Sequence, residues 1–335
     1  MRTLLLTGAT GFVGRNLVLR ELSLGTRIFA PVRDPEKLRR QLEAEGLDPS
    51  AVTPLSPDPR SWESIHPTHA VLSAGVLFAR NRDEYFRVNV DWTLHVLGSL
   101  PKGCQTILLS SQSAGGPTPR GKHARSEKDA DVPLTWYGQS KGELERAARK
   151  AFPERNITIL RPPMILGARD TAILPLFKMA SGLIRTKPGL RKKTFSFIAV
   201  EDVIEAIHTA WESSPTGSYY IAADHTISDF DLIHTAAEAA GARGITLPVP
   251  LALVKAMSFI IDSVPALRAT APSLTRDRAR EIWPDRWVVD SSAFRHATGW
   301  RPTRDLKHAL HTAHDSFVKQ GDLPPRKHPK IKSKK

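Results

Sequence analysis

The sequence predicts an α/β protein: a doubly wound parallel sheet followed by a smaller C-terminal lobe. Three observations lead there. Apolar runs of strand length alternate with amphipathic stretches of helix length through residues 1–166. A glycine-rich turn, Thr7-Gly8-Ala9-Thr10-Gly11-Phe12-Val13-Gly14, joins the first strand to the first helix. A chain of 335 residues with 41% hydrophobic content can bury a large core and still furnish a second lobe.

The first element is the apolar run Leu4-Leu5-Leu6, a short buried strand. The glycine turn follows, and then the helical stretch Asn16 to Leu22. Strand, glycine turn and helix together make a cradle for a pyrophosphate. Backbone N–H groups and the positive end of the helix dipole meet the phosphates. Gly8 permits the tight turn, Gly11 the close approach of a ligand, and Gly14 the packing of helix on strand. Thr10, Gly11, Phe12 and Val13 line the cradle between them.

A second strand runs from Arg27 to Val32 and ends at Arg33-Asp34-Pro35. An acid at this place suits a ribose 2′-hydroxyl, and an arginine suits a 2′-phosphate. Arg33 comes first, which favours NADP over NAD, with NAD as the alternative. Pro54 to Pro59 reads as a proline-rich loop. The strand His69 to Leu72 closes on the small residues Ser73-Ala74-Gly75, which leave room for a cofactor at the sheet edge. Residues 81–99 read as a helix containing Asn89. Gln105 to Ser110 is a further strand, opening onto Ser111-Gln112-Ser113. A polar, basic loop over 116–133 is placed to cover a site.

Tyr137 and Lys141 stand four apart at the start of the next helix and share a face. A tyrosine titrates near 10 in water, and an ammonium a few ångström away favours the phenolate. The pair can therefore serve as a general acid or base near neutrality. Ser111, at a strand end, is placed to offer its hydroxyl to a substrate oxygen, with Ser113 as the alternative serine. Ile157 to Leu160 is a strand that ends at Arg161-Pro162-Pro163. Phe195 to Val200 and Ser218 to Ala222 are later strands with a helix between them.

The net charge is +14, from 48 Lys or Arg against 34 Asp or Glu. The segment 324–335 carries part of it and lacks apolar periodicity, so 319–335 is expected to be a basic, disordered tail. A second basic cluster spans Arg185 to Lys193 and reads as solvated surface charge, with attraction to an anion as the alternative. The single cysteine, Cys104, excludes an internal disulfide and is expected to be structural. Neither a signal peptide nor a spanning segment stands out, and the most apolar stretch, Leu247 to Leu267, is broken by Lys255 and Asp262. These features point to a cytoplasmic protein, with peripheral contact to an anionic membrane through the basic tail as an option. His308, His311 and His314 recur at threes on one helix, but without a supporting cluster they read as a solvated face and no metal is expected.

Together these motifs resemble the extended short-chain dehydrogenase/reductases of the NAD(P)-dependent epimerase/dehydratase superfamily. The branch most similar is that of the 3β-hydroxysteroid dehydrogenases and dihydroflavonol-4-reductase-like reductases. The resemblance runs to about residue 318 and includes Thr7 to Gly14, Arg33-Asp34-Pro35, Val88-Asn89-Val90, Ser110-Ser111, Tyr137 with Lys141, and Leu160-Arg161-Pro162. Phe197 to Val203 and Thr298-Gly299-Trp300-Arg301-Pro302 extend it. It implies a Rossmann-type NAD(P)-binding domain over 1–166 and a substrate lobe over 167–318, with 195–222 returning to the first domain.

It also implies catalytic roles for Ser111, Tyr137 and Lys141. Tyr137 would give or take the proton, Lys141 would bind the nicotinamide ribose, and Ser111 would orient the reacting oxygen. Ala74 and Gly75 would flank the cofactor and Pro162 would lie by the nicotinamide. Asp91-Trp92-Thr93 departs from the Gly-Thr usual in the family, which would crowd the cofactor side. Expected, then, is an NAD(P)-dependent oxidoreductase acting on an apolar carbonyl or hydroxyl compound of steroid, flavonoid or lipid type. A sugar-nucleotide epimerase or dehydratase with retained NAD is the alternative, and Lys178, Arg185, Lys187 and Arg191 are its candidate diphosphate ligands. A non-catalytic NAD(P)-binding protein using its basic surface is a third. A small-molecule substrate and a homodimer are the partners foreseen, and nucleic acid is not.

Overall fold

The alternation of strands and helices is realised in a computed structural model that describes residues 2–62 and 64–325. In chain order the first elements are β1 Thr3–Thr7, α1 Phe12–Ser23, β2 Arg27–Pro31, α2 Pro35–Ala44, β3 Val52–Leu55, β4 His69–Leu72, α3 Arg82–Phe86, α4 Thr93–Ser99, β5 Gln105–Leu109, α5 Gln112–Gly115, α6 Trp136–Ala151 and β6 Ile157–Arg161. They continue with β7 Met164–Leu166, α7 Leu174–Ala180, β8 Ile184–Pro188, β9 Thr194–Phe195, β10 Phe197–Ala199, α8 Val200–Ser213 and β11 Gly217–Tyr220. The last are β12 Ile227–Ser228, α9 Asp229–Ala239, β13 Ile245–Val249, α10 Leu251–Ser263, α11 Pro265–Thr270, β14 Arg286–Trp287, α12 Ser292–Thr298 and α13 Leu306–Gln320.

The chain divides into two units. The first comprises 1–163, 201–222 and 288–301, and the second 164–200, 223–287 and 302–335. The sequence returned 195–222 to the first part. In the structure 195–200 stays with the second unit, because β9 and β10 pair there with β12, β14 and β7. The segment 288–301 joins the first unit through Arg125, whose N–H donates to Val288 O at 2.8 Å.

The first unit holds a seven-stranded sheet in the order β11-β6-β5-β4-β1-β2-β3. All its neighbouring pairs are parallel. The strand order reverses between β1 and β4, and a crevice opens at the carboxyl ends of strands at such a point. Leu5, Ala70, Leu72, Leu108 and Ile159 from the strands meet Val96, Leu97, Leu144 and Ala148 from α4 and α6 in a shared core. Pro54 corrects the loop expected over 54–59. It lies inside β3, at the sheet edge, where a residue without an N–H costs no ladder bond. Cys104 is buried, and burial pushes its thiol up to about 11, so it is inert packing.

In the second unit the small residues Ala236, Ala237 and Ala239 of α9 and Ala309 and Ala313 of α13 lie in one core with Phe177 and Phe317. The two phenyl rings meet edge-on at 5.6 Å. His314 departs from the solvated face expected of it. It is buried, with its ring 5.8 Å from Phe177, because α13 turns that side inward. The cluster from Arg185 to Lys193 departs as well: Arg185, Lys187 and Lys193 are buried and Arg191 and Lys192 exposed. No helix among the described residues is long and apolar enough to cross a membrane. Most of the basic tail, 326–335, lies outside the described residues.

Candidate functional site

The site is built on the first unit's strand ends. Gly8 has φ +76°, and Gly11 N–H donates back to Gly8 O at 2.8 Å, closing the turn after β1. A Cβ on Gly14 would lie 2.0 Å from Gly8 O, so only glycine lets α1 begin this close to the strand. Gly11 caps α1 with no side-chain hydrogen bond, so side chains leave the helix's first N–H groups open. A dinucleotide pyrophosphate fits this cradle: open donors, a helix N-terminus and no side chain in the way. Thr10 and Phe12 are half-buried beside it, and Val13 is buried.

The end of β4 lies against the turn. Ser73 Oγ donates to Thr7 O at 2.6 Å, and Ala74 N–H donates to Thr7 Oγ1 at 3.1 Å. Gly75 is exposed, and a Cβ there would sit 3.5 Å from Lys141 Nζ. The structure therefore brings the glycine turn, Ala74, Gly75 and Lys141 to one edge of the sheet.

Lys141 is almost fully buried and donates from Nζ to Leu109 O at 2.9 Å. Burial pushes its ammonium down to about 8, with the Glu145 carboxylate acting in the opposite sense. Tyr137, one turn earlier on α6, is half-buried, with its ring 6.3 Å from that of Tyr85. Thr135 caps this helix through Gly138 N–H at 3.2 Å. A Cβ on Gly138 would lie 2.4 Å from Ser113 O, so the start of α6 rests on the serine turn after β5. Ser111 Oγ accepts from Ser113 N–H at 3.1 Å and caps α5, and its own hydroxyl proton stays available to donate. Gln112 N–H donates to Pro162 O at 2.8 Å, which places Pro162 beside the same turn.

Arg33 stands apart from this cluster, exposed beyond the end of β2. Its neighbour Asp34 is engaged: Oδ1 accepts from Lys37 N–H at 2.9 Å, capping α2, and Oδ2 lies 4.0 Å from Arg40. Trp92 is tied to the loop after β3, its indole N–H donating to Pro57 O at 2.9 Å.

Two supports were not read from the sequence. Between Arg87 and Trp92 the backbone widens to a π-type turn, and it carries the buried Asn89. Asn89 Oδ1 accepts from Val76 N–H at 2.8 Å, and Nδ2 donates to Ser140 Oγ at 2.9 Å. Ser140 in turn donates to Tyr137 O at 2.8 Å, so Asn89 ties the loop after β4 to the helix of Tyr137 and Lys141. The second support is Arg161. It bonds both Glu145 oxygens at 2.8–3.0 Å and both Asp131 oxygens at 2.7 and 2.9 Å. Ser110 and Ser218 hydroxyls complete the ring around Glu145. Burial opposes the Arg161 charge, but the two carboxylates outweigh it and raise its pKa. The loop over 116–133 is thereby fixed, with Arg125 donating to Pro117 O and Ala130 O at 2.9 Å.

The fold and the glycine cradle define a dinucleotide-binding α/β protein of the doubly wound type. Residues 4–222 match the model of the NAD dependent epimerase/dehydratase family, and the chain belongs to that family. It is 27% identical over 293 residues to a ceramide reductase of Caulobacter vibrioides, covering 86% of each chain. It is 25% identical to a putative dihydroflavonol 4-reductase of a Synechocystis species, covering 94% of each. Among solved structures it is similar to UDP-glucuronic acid 4-epimerase from Bacillus cereus in complex with NAD. That match has a TM-score of 0.70 and 19% identity, and covers 96% of this chain and 99% of the other.

Proposed function

We propose that the chain is an NADP-dependent reductase or dehydrogenase of an apolar carbonyl or hydroxyl compound. The observation that carries this over the sugar-nucleotide reading is the state of the basic cluster. Lys187 donates to Asp229 Oδ2 at 2.9 Å and to the carbonyls of Gly189 and Arg191 at 3.0 and 2.8 Å. Arg185 donates to Ala242 O at 3.2 Å. Two of the cations that would hold a second diphosphate are thus buried and spent on the protein itself. The ceramide reductase and the putative dihydroflavonol reductase support an apolar substrate in the same direction.

The proposed roles are those the family resemblance implies, and the arrangement of the site is compatible with them. The bound dinucleotide supplies the hydride for reduction and accepts it in oxidation. Tyr137 gives its phenolic proton to the oxygen on which charge develops, and takes it back in the reverse direction. Lys141, as a cation, stabilises the phenolate and hydrogen-bonds the ribose. Ser111 donates to the same substrate oxygen and orients it. Gly8, Thr10, Gly11, Phe12, Val13 and Gly14 hold the pyrophosphate, Ala74 and Gly75 border it, and Pro162 borders the nicotinamide. Arg33 meets the 2′-phosphate, since the neighbouring acid that would suit a free 2′-hydroxyl is occupied in capping α2.

The test is NADPH oxidation against long-chain, steroid and flavonoid ketones, with UDP-sugars alongside. Turnover with an apolar ketone is expected, and Tyr137→Phe is expected to lower kcat by about 100-fold or more while NADPH still binds. NAD that copurifies and does not exchange, with activity on UDP-sugars alone, would sink this reading in favour of the epimerase. Full activity in Tyr137→Phe would remove the assigned acid.

A further inference from the structure

Helix α10 is apolar on two sides. Val254, Ser258 and Ile261 are buried and form its inward face. Leu253, Met257, Ile260 and Val264 recur at i, i+4, i+7 and i+11, a second stripe along one line of the helix. Those four are 54%, 43%, 58% and 40% exposed. Leu267, on α11, is exposed as well.

The ribbon of β8 and β13 adds to this surface. Burial alternates along β8, with Arg185 and Lys187 turned inward and Ile184 outward. The parallel register pairs Ile184 with Ile245 and Thr186 with Leu247, so three aliphatic side chains share the outward face. The ribbon adjoins the helix: a Cβ on Gly189 would touch Leu251, the first residue of α10, at 3.4 Å. Leu190, next in the chain, is largely exposed. Apolar surface gathered in this way marks an interaction site.

Charge decides what covers it. Of the five Lys or Arg in residues 183–193, a stretch without an acid, Arg191 and Lys192 reach the surface, Arg191 lying 3.7 Å from Asp285, while Arg185, Lys187 and Lys193 are buried. Residues 243–268 contain three Lys or Arg and one acid, Asp262. That acid lies 3.9 Å from Arg268. Arg191, Lys192, Arg243 and Lys255 are exposed. A second copy docking through the same face would set these cations against one another. An anionic bilayer offers acyl chains to the stripe and phosphates to the cations. We propose that α10 and the β8–β13 ribbon dock this protein onto an anionic lipid surface. Leu253, Met257 and Ile260 then sit at the acyl boundary, and Lys192 and Lys255 at the headgroups. The proposal does not rest on the substrate, because docking is read without turnover.

Flotation of the full-length chain with phosphatidylcholine vesicles, with and without phosphatidylglycerol, tests it. Binding is expected to the anionic vesicles, weakening as salt is raised. Leu253→Asp with Ile260→Asp should lower the bound fraction's partition coefficient about tenfold or more. Lys192→Glu with Lys255→Glu should erase the preference for phosphatidylglycerol. All four positions are exposed, so both variants should melt as wild type does. As an independent readout, Met257→Cys carries the one accessible thiol, since Cys104 is buried. A polarity-sensitive dye there should shift to the blue with anionic vesicles. No binding, an unshifted dye, or binding that survives the paired aspartates would overturn the proposal. So would a dimer in sedimentation velocity that the paired aspartates dissolve, which would give the face to a second copy.

Discussion

Lys141 is held almost out of water with one backbone carbonyl on its ammonium. Its pKa, pushed down by burial to about 8, lies below the value in the unfolded chain. Between about 8 and 10.5 the unfolded state binds the extra proton, so stability rises with pH through that window. Below it the buried cation is a standing cost to stability. The same titration bears on the proposed chemistry. Once Lys141 is neutral, the phenolic acid at Tyr137 loses the charge that favours its ionised form. The kcat/KM for NADPH-dependent reduction is therefore expected to fall on the alkaline side with a midpoint near pH 8. In Lys141→Ala the rate should drop by about 100-fold and that limb should move toward the tyrosine's own value near 10. A limb unmoved in the variant would detach Lys141 from the acid. The proximity of Tyr137 and Lys141 was legible in the sequence, because they lie one helical turn apart on α6. Asn89 was legible as a position within a helix. Its bonds to Val76 and Ser140 were not, since they span 13 and 51 residues.

At the level of elements, Arg161 joins three pieces of chain: the end of β6, helix α6 through Glu145, and the loop through Asp131. No periodicity announces such a link, because each partner looks like an ordinary polar residue in its own segment. Removing the cation leaves the Glu145 carboxylate buried with only two hydroxyl donors. Arg161→Met is expected to cost about 3–5 kcal/mol in urea unfolding. Adding Glu145→Gln should recover part of that loss, which a mere packing defect at Arg161 would not allow. In the second unit Asp170 is buried, and burial raises its carboxyl to about 7 against the single N–H it accepts from Ala172. Its folded pKa exceeds the unfolded one, so stability falls as pH rises from about 4 to about 7 and is level above that. Asp170→Asn keeps the N–H acceptor and removes the charge. It should match wild type near pH 4 and exceed it at pH 8 by on the order of 2–4 kcal/mol. Equal gains at both pH values would point to packing instead. Helix α10 shows the other limit of sequence reading. Its apolar content was plain, but a helix with apolar residues on two sides does not say which stripe is buried.

For the molecule as a whole, the alternation of elements gave the parallel sheet and its class, since each strand–helix repeat is local. The assignment of later segments to the two units was less legible. The second unit is assembled from three stretches and the first closes with 288–301, which pairs through Arg125 with a loop far away in sequence. Cofactor choice acts at this scale too, because a ligand that binds only the folded chain stabilises all that unfolds with it. NADPH at about 100 times its Kd should add about 2.7 kcal/mol, or a rise of about 3–4 °C in Tm for a cooperative unit of this length. NADH at the same concentration should add less, because it offers Arg33 no phosphate to pair with. Arg33→Ala should abolish the difference between the two dinucleotides and leave the melting of the ligand-free protein unchanged, since the arginine is exposed. Calorimetry of both proteins with each dinucleotide reads all of this at once. Equal shifts with NADH and NADPH in wild type would return the choice to NAD, and would assign Arg33 to the solvated surface.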